Sequence, residues 1–312
     1  MSLRASYDLI LVMLLVSLTF FLVLENKDFC EHLFKRTFNI RSNVVPHIKN
    51  QNLNEKICRH SKITLYGIFS MLHKIETRNT LRKQSQCSFN NENQNTVFVM
   101  GKPKTQNEYD LIMREKDEFN DIFILSCEEN MNDGKTFTYF KEALQQLPCF
   151  QFYAKVDDDT AFSPDKMTSQ LLSYPNDSPL YIGRVMQNVD NNLKMFIYHT
   201  FKYQFKDMRW LYLHEKYFAG MLYVLNSQAI QKWIQLNPTY TYGDEDSRTS
   251  SFMVQVGAKY IDVGTKFHDY FEYNPGPMGE HWRLEITNNS IAVHQCKKLY
   301  QLNDAFEKVC TL

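Results

Sequence analysis

A chain of 312 residues, 44% apolar and 14% aromatic, carries enough apolar side chain for a sizeable core, which excludes global disorder. Lys+Arg and Asp+Glu both number 35, and no stretch interleaves dense basic residues with stacking aromatics, so composition argues against a nucleic-acid partner.

In chain order the first element is Leu9 to Leu24, an uncharged apolar run of 16 residues with Arg4 before it and Glu25, Lys27 and Asp28 after it. A bilayer span takes about 20 apolar residues, so this run is slightly short, and thin early-secretory membranes would suit it. No small-x-small cleavage pattern follows, so it reads as a signal-anchor transmembrane helix behind a cytosolic tail, residues 1–8. Arg4 orients the body toward the lumen. Residues 25–60 are polar and Asn-rich and read as a stem. The seven cysteines, Cys30, Cys58, Cys87, Cys127, Cys149, Cys296 and Cys310, lack the CxxC spacing of a zinc site. In an oxidising lumen they would form disulfides, with the odd count leaving one thiol over. The sequons at Asn176 and Asn288 are compatible with that compartment.

Residues 61–312 make up the expected luminal domain. The apolar runs Ile63 to Phe69, Thr96 to Met100, Asp121 to Leu125 and Phe150 to Lys155 read as buried strands, separated by helical stretches. That alternation predicts an α/β domain, largely parallel in its N-terminal half. Ser163 then caps a helix to about Leu172, with Pro164 at its first position. Leu180 to Arg184 and Gly220 to Leu225 read as strands, Ser227 to Gln235 and Asp246 to Val256 as helices, and Ile291 to His294 as a last strand. Tyr270 to Arg283 holds two prolines and two glycines and reads as a loop.

Four sets of residues have chemistry to offer. Phe150 to Phe162 is an apolar strand ending in Asp157, Asp158 and Asp159. Alternate side chains share a side, so Asp157 and Asp159 suit one ligand while Asp158 points elsewhere. Their mutual repulsion is relieved by a hard divalent cation such as Mn²⁺ or Mg²⁺, which bridges phosphates; a solvated helix-capping turn is the plainer reading. Gly243-Asp244-Glu245-Asp246 opens a helix, where a carboxylate either caps the helix or serves as a general base. His294, at the end of its strand, is either a metal ligand or a hydrogen-bonded structural residue. Arg78 and Arg82, four apart, share a helix face, and Asn132, Asp133, Gly134 and Lys135 precede another helix. Either place would receive an anionic phosphate, or be a solvated face and a cap.

In their order these segments resemble glycosyltransferase family 31, the inverting β-1,3-hexosyltransferases. Ile63 to Arg82 is similar to the family's opening strand and R-x-x-I-R segment, and Val97 to Gly101 to its second strand. Cys127 to Thr136 (CEENMNDGKT) resembles a segment of the plant and fungal branch, and Lys155-Val156-Asp157-Asp158-Asp159 the K-x-D-D-D motif. Tyr217 to Leu225 is similar to Y-x-S-G-x-G-Y-V-L, Glu245-Asp246 to the E-D pair, and Ile291 to His294 to I-A-V-H. The resemblance implies a GT-A fold, a Rossmann-like mixed sheet flanked by helices, a UDP-sugar donor, Mn²⁺ (or Mg²⁺) and a glycan, glycoprotein or glycolipid acceptor. It implies metal ligation by Asp159, Asp157 and His294, and nucleotide contacts from Asp157, Asp158, Arg78, Arg82, Lys135 and Lys155. Asp246 would be the base with Glu245 as fallback, and Tyr217 and Gly220 would face the acceptor. It further implies a single-pass type II protein of the Golgi or endoplasmic reticulum membrane, and leaves a homodimer open. The chain departs from the pattern at Gln84-Ser85, Ala219, Leu222 and Ser247-Arg248. Two other readings compete. One is an inactive relative serving as a chaperone or binding partner. The other is a phosphohydrolase, whose D-x-D-x-[TV] spacing is not met because Thr160 directly follows Asp159.

Overall fold

The computed structural model describes residues 61–84, 87, 89–187, 216–238, 245–270 and 286–311. The expected anchor and stem, Gly243-Asp244 and most of the loop predicted after Tyr270 lie outside them. Among the described residues no helix is long and apolar enough to cross a membrane.

Seven strands form the main sheet: β1 (Lys62–Phe69), β2 (Gln94–Lys102), β3 (Ile122–Glu128), β4 (Phe150–Asp157), β6 (Leu180–Gln187), β7 (Lys216–Asn226) and β8 (Lys259–Asp262), in the order β3-β2-β1-β4-β7-β6-β8. The run β3-β2-β1-β4 is parallel, as the helix-separated apolar runs predict. Its crossovers are the helices α1 (Ile75–Arg82), α2 (Gln106–Phe119) and α3 (Thr136–Gln146). β7 is antiparallel to both β4 and β6, making the sheet mixed. Both faces are covered, which is why these strands are continuously apolar. Tyr66, Ile68, Phe98, Met100, Phe152, Ala154 and Val156 pack into one core. The alternate residues Leu65, Phe69, Val97, Val99 and Tyr153 pack into the other.

A smaller sheet consists of β5 (Ala161–Phe162), β10 (Ala292–His294) and β9 (Phe267–Asp269), in that order, with β5 directly after the acidic run. Helix boundaries follow their signals. Thr105 and Glu108 form a capping box on α2, Ser163 caps α4 (Pro164–Leu171), and Asn226 caps α5 (Ser227–Leu236). α6 (Glu245–Gln255) begins on the acidic pair. The last helix, α7 (Leu299–Thr311), escaped the sequence reading, although Leu302, Ala305, Phe306 and Val309 have helical spacing and all enter the first core. A disulfide from Cys87 to Cys310 ties α7 to the segment after α1, and Gln84, at a departure from the family pattern, donates to Asn303 on the same helix. Cys149 is also disulfide-bonded, while Cys127 and Cys296 are free thiols.

Candidate active site

β4 is buried along nearly its whole length and emerges at Asp157. Asp158, in the turn that follows β4, points away, its carboxylate held by Lys74 at 2.6 Å. Asp159 meets His294 from the other sheet, Oδ1 to Nε2 at 3.2 Å, and Asp157 Oδ2 stands 4.0 Å from the same nitrogen. One ligand atom from each of Asp157, Asp159 and His294 falls within a 4.8 Å cluster. Two carboxylates and an imidazole, gathered from residues 135 positions apart, are a donor set suited to Mn²⁺ or Mg²⁺. Lys297, absent from the sequence reading, also pairs with Asp159.

Burial and neighbours set the charges. Burial pushes the Asp157 carboxyl up, against the pull of Lys155 and His294. Burial opposes ionisation of Asp159 too, but His294 and Lys297 outweigh it and hold that carboxyl well below its ordinary range. Desolvation works against a charged His294, yet Asp159 and Asp269 raise it to about 9.

The second centre grows from the buried Lys155. Its ammonium lies 3.0 Å from Asp157 Oδ1, 3.0 Å from Glu245 Oε2, 3.0 Å from the Gly220 carbonyl and 3.8 Å from Asp246 Oδ1. β4 and β7 bring it there, because Lys155 pairs in register with Tyr223. Glu245 is fully engaged, receiving hydrogen bonds from Tyr223 and Thr249 besides the ion pair. Asp246 Oδ2 accepts from the Gly220 N–H at 2.8 Å, and among the described residues its Oδ1 has no hydrogen-bond partner. Burial and the neighbouring Glu245 charge push Asp246 well above the usual carboxylate range. A Cβ on residue 220 would sit 2.5 Å from Asp246 Oδ1 and 2.9 Å from Lys155 Nζ, so only glycine admits this approach.

A galactosyltransferase family model matches residues 76–263, which contain Lys155, the acidic run, Gly220, Glu245 and Asp246. The chain belongs to the galactosyltransferase family. It is thereby a glycosyltransferase by family, and His294 and Lys297 lie beyond the matched span. A β-1,3-galactosyltransferase, pvg3, of Schizosaccharomyces pombe is 28% identical over 144 residues, covering 45% of this chain and 37% of that protein. A probable β-1,3-galactosyltransferase 13 of Arabidopsis thaliana is 24% identical over 178 residues, covering 54% and 49%. The chain thus spans half or less of the length of these curated relatives. Among solved structures, the bifunctional glycosyltransferase WbbM is 12% identical with a TM-score of 0.46, covering 79% of this chain and 50% of that one. The galactosyltransferase LgtC with donor and acceptor sugar analogues is 9% identical at 0.44, covering 80% and 97%. Scores of that size carry no argument, and the architecture stands on the sheet order above.

Within this galactosyltransferase-family chain the basic candidates are held by internal partners. Arg78 is fully buried, its guanidinium bidentate to Glu115 with further bonds to Ser70 Oγ and the Met71 and Leu72 carbonyls. Arg82 is shared between Glu115 and Asp121 and lies over the Phe119 ring. Lys135 is buried against Glu129 at 2.6 Å, just after Gly134 turns the chain at φ 77°. These three, and the buried Lys155, are engaged in internal ion pairs. Arg78 and Lys135 bind the backbone or side chains of Ser70 to Leu72, just past β1. Tyr217 is half-buried on β7, three residues before Gly220.

Proposed function

We propose that the chain is a metal-dependent, inverting hexosyltransferase of GT-A type that moves galactose or N-acetylglucosamine from a UDP-sugar to a glycan hydroxyl, forming a β-1,3 linkage. The observation that carries this reading is the pair of carboxylate centres joined through Lys155, one built for a cation and one ending in a carboxylate oxygen that makes no hydrogen bond among the described residues. Family membership and the names of the two curated relatives support the sugar-transfer chemistry.

Asp157, Asp159 and His294 would hold the Mn²⁺ or Mg²⁺. When bound, the ion supplies Lewis-acid stabilisation for the departing diphosphate. Asp246 takes the proton of the acceptor hydroxyl through Oδ1, while the Gly220 N–H keeps Oδ2 in place. Glu245, locked by Tyr223 and Lys155, is a supporting charge. A single in-line displacement at the anomeric carbon then inverts its configuration. Leu9 to Leu24 would anchor the protein in the Golgi or endoplasmic reticulum membrane with residues 61–312 luminal, a placement that the Cys87–Cys310 disulfide favours.

The test is UDP release from a panel of UDP-sugars with Mn²⁺, with and without glycan acceptors. Acceptor-stimulated release from UDP-galactose or UDP-N-acetylglucosamine is expected. Absence of release with every donor, despite Mn²⁺-dependent UDP binding, would contradict transfer.

A further inference from the structure

The metal cluster explains Asp157, Asp159 and His294, but not the carboxylate behind the imidazole. Asp269 ends β9, and the parallel register of β9 with β10 sets it directly beside His294. The preceding pair, His268 and Val293, faces the other way, with His268 Nε2 on Ser290 Oγ at 2.7 Å. Asp269 Oδ1 lies 3.4 Å from His294 Nδ1, the ring nitrogen opposite the one that meets Asp159. Its other oxygen, Oδ2, is taken by Arg184 from β6 at 3.2 Å. The Tyr270 N–H adds a 2.7 Å bond to the His294 carbonyl and fixes the strand end.

We infer that Asp269, backed by Arg184, is a positioning residue that accepts the His294 Nδ1–H and so leaves Nε2 to the cation. The inference rests on the metal-dependent reading of the site. Imidazole has two nitrogens, and a ligand must present the deprotonated one to the metal. A carboxylate on the far nitrogen fixes tautomer and ring orientation together, and makes the near nitrogen a better donor. Asp269 is not itself in the ligand cluster, because it lies across the ring from Asp159. Arg184 holds the other carboxylate oxygen at 3.2 Å and so favours this orientation.

Mn²⁺ alone, titrated into the full chain and followed by electron paramagnetic resonance, tests this. Asp269→Ala should weaken Mn²⁺ binding by about 10–100-fold. Asp269→Asn, which keeps an acceptor for Nδ1–H, should restore most of that loss. Unchanged affinity in a folded Asp269→Ala protein would overturn the inference and leave the metal site standing. So would equal losses in both variants, since that pattern belongs to a ligand or a bare charge. Absence of Mn²⁺ binding by the wild-type chain would remove both readings. If the alanine variant fails to fold, the ¹⁵N spectrum of His294 in the Mg²⁺-loaded wild type decides: a protonated Nδ1 is expected, and a bare Nδ1 overturns the assignment.

Discussion

Two adjacent carboxylates, Glu245 and Asp246, start the same helix and divide the work by their partners. Glu245 receives Tyr223, Thr249 and Lys155, so a proton placed on it would break bonds already made. Asp246 keeps one oxygen without a hydrogen-bond partner among the described residues. Asp246→Asn should therefore cut kcat by about 10²–10⁴-fold in a UDP-release assay and leave nucleotide affinity intact. Burial and Glu245 raise the proton affinity of Asp246, and Lys155 lowers it. A base works only when ionised, so the rate should fall on acidification along a limb lying above the ordinary carboxylate range. Lys155→Met removes the lowering influence and should move that limb to higher pH; a limb that stays put would assign the base elsewhere. Gly220→Ala drives a methyl group into Asp246 and Lys155 and should cost about 1–3 kcal/mol in denaturant unfolding, with a matching loss of turnover.

At the scale of elements, the long buried strands were legible because burial on both faces makes each a continuous apolar run, as in Phe150 to Val156. The two- to four-residue strands β5, β8 and β9 were not, since so short a segment has no periodicity to read. Yet β9 carries Asp269 and β5 leads directly from the acidic run, so part of the site was hidden with them. Asp159 and His294 were legible as candidates, because a carboxylate run and a histidine at strand ends are visible locally. The ion pairs of Arg78 and Arg82 were hidden for the converse reason. Their spacing shows a shared helix face, but the partner, Glu115, lies 37 residues after Arg78 on α2. Glu115→Gln leaves the fully buried Arg78 guanidinium without its anion, while Arg82 keeps Asp121, and should cost about 3–5 kcal/mol in unfolding free energy. Burial opposes the Glu115 charge, but both arginines outweigh it and depress its carboxyl below its ordinary range. Its contribution is thus present above the unfolded value and is lost as pH falls through the folded one. The variant should lack that part of the acid sensitivity, as melting temperatures across the acid range will show.

Across the whole molecule, the main sheet presents Asp157 while α6 and the small sheet close on it with Asp246 and His294. The small sheet leads on to α7, which is fastened to the segment after α1 by a disulfide spanning 223 residues of chain. Cross-linking so long a loop restricts the unfolded chain strongly, so Cys310→Ser should lower unfolding free energy by about 2–5 kcal/mol. The central claim is that Asp157, Asp159 and His294 gather a cation on which a nucleotide diphosphate is held. Calorimetric titration of UDP into the protein, with and without Mn²⁺, measures this most directly. Binding should require Mn²⁺, vanish in Asp159→Ala and persist in Asp246→Asn. UDP binding that is indifferent to Mn²⁺ and to Asp159→Ala would contradict it.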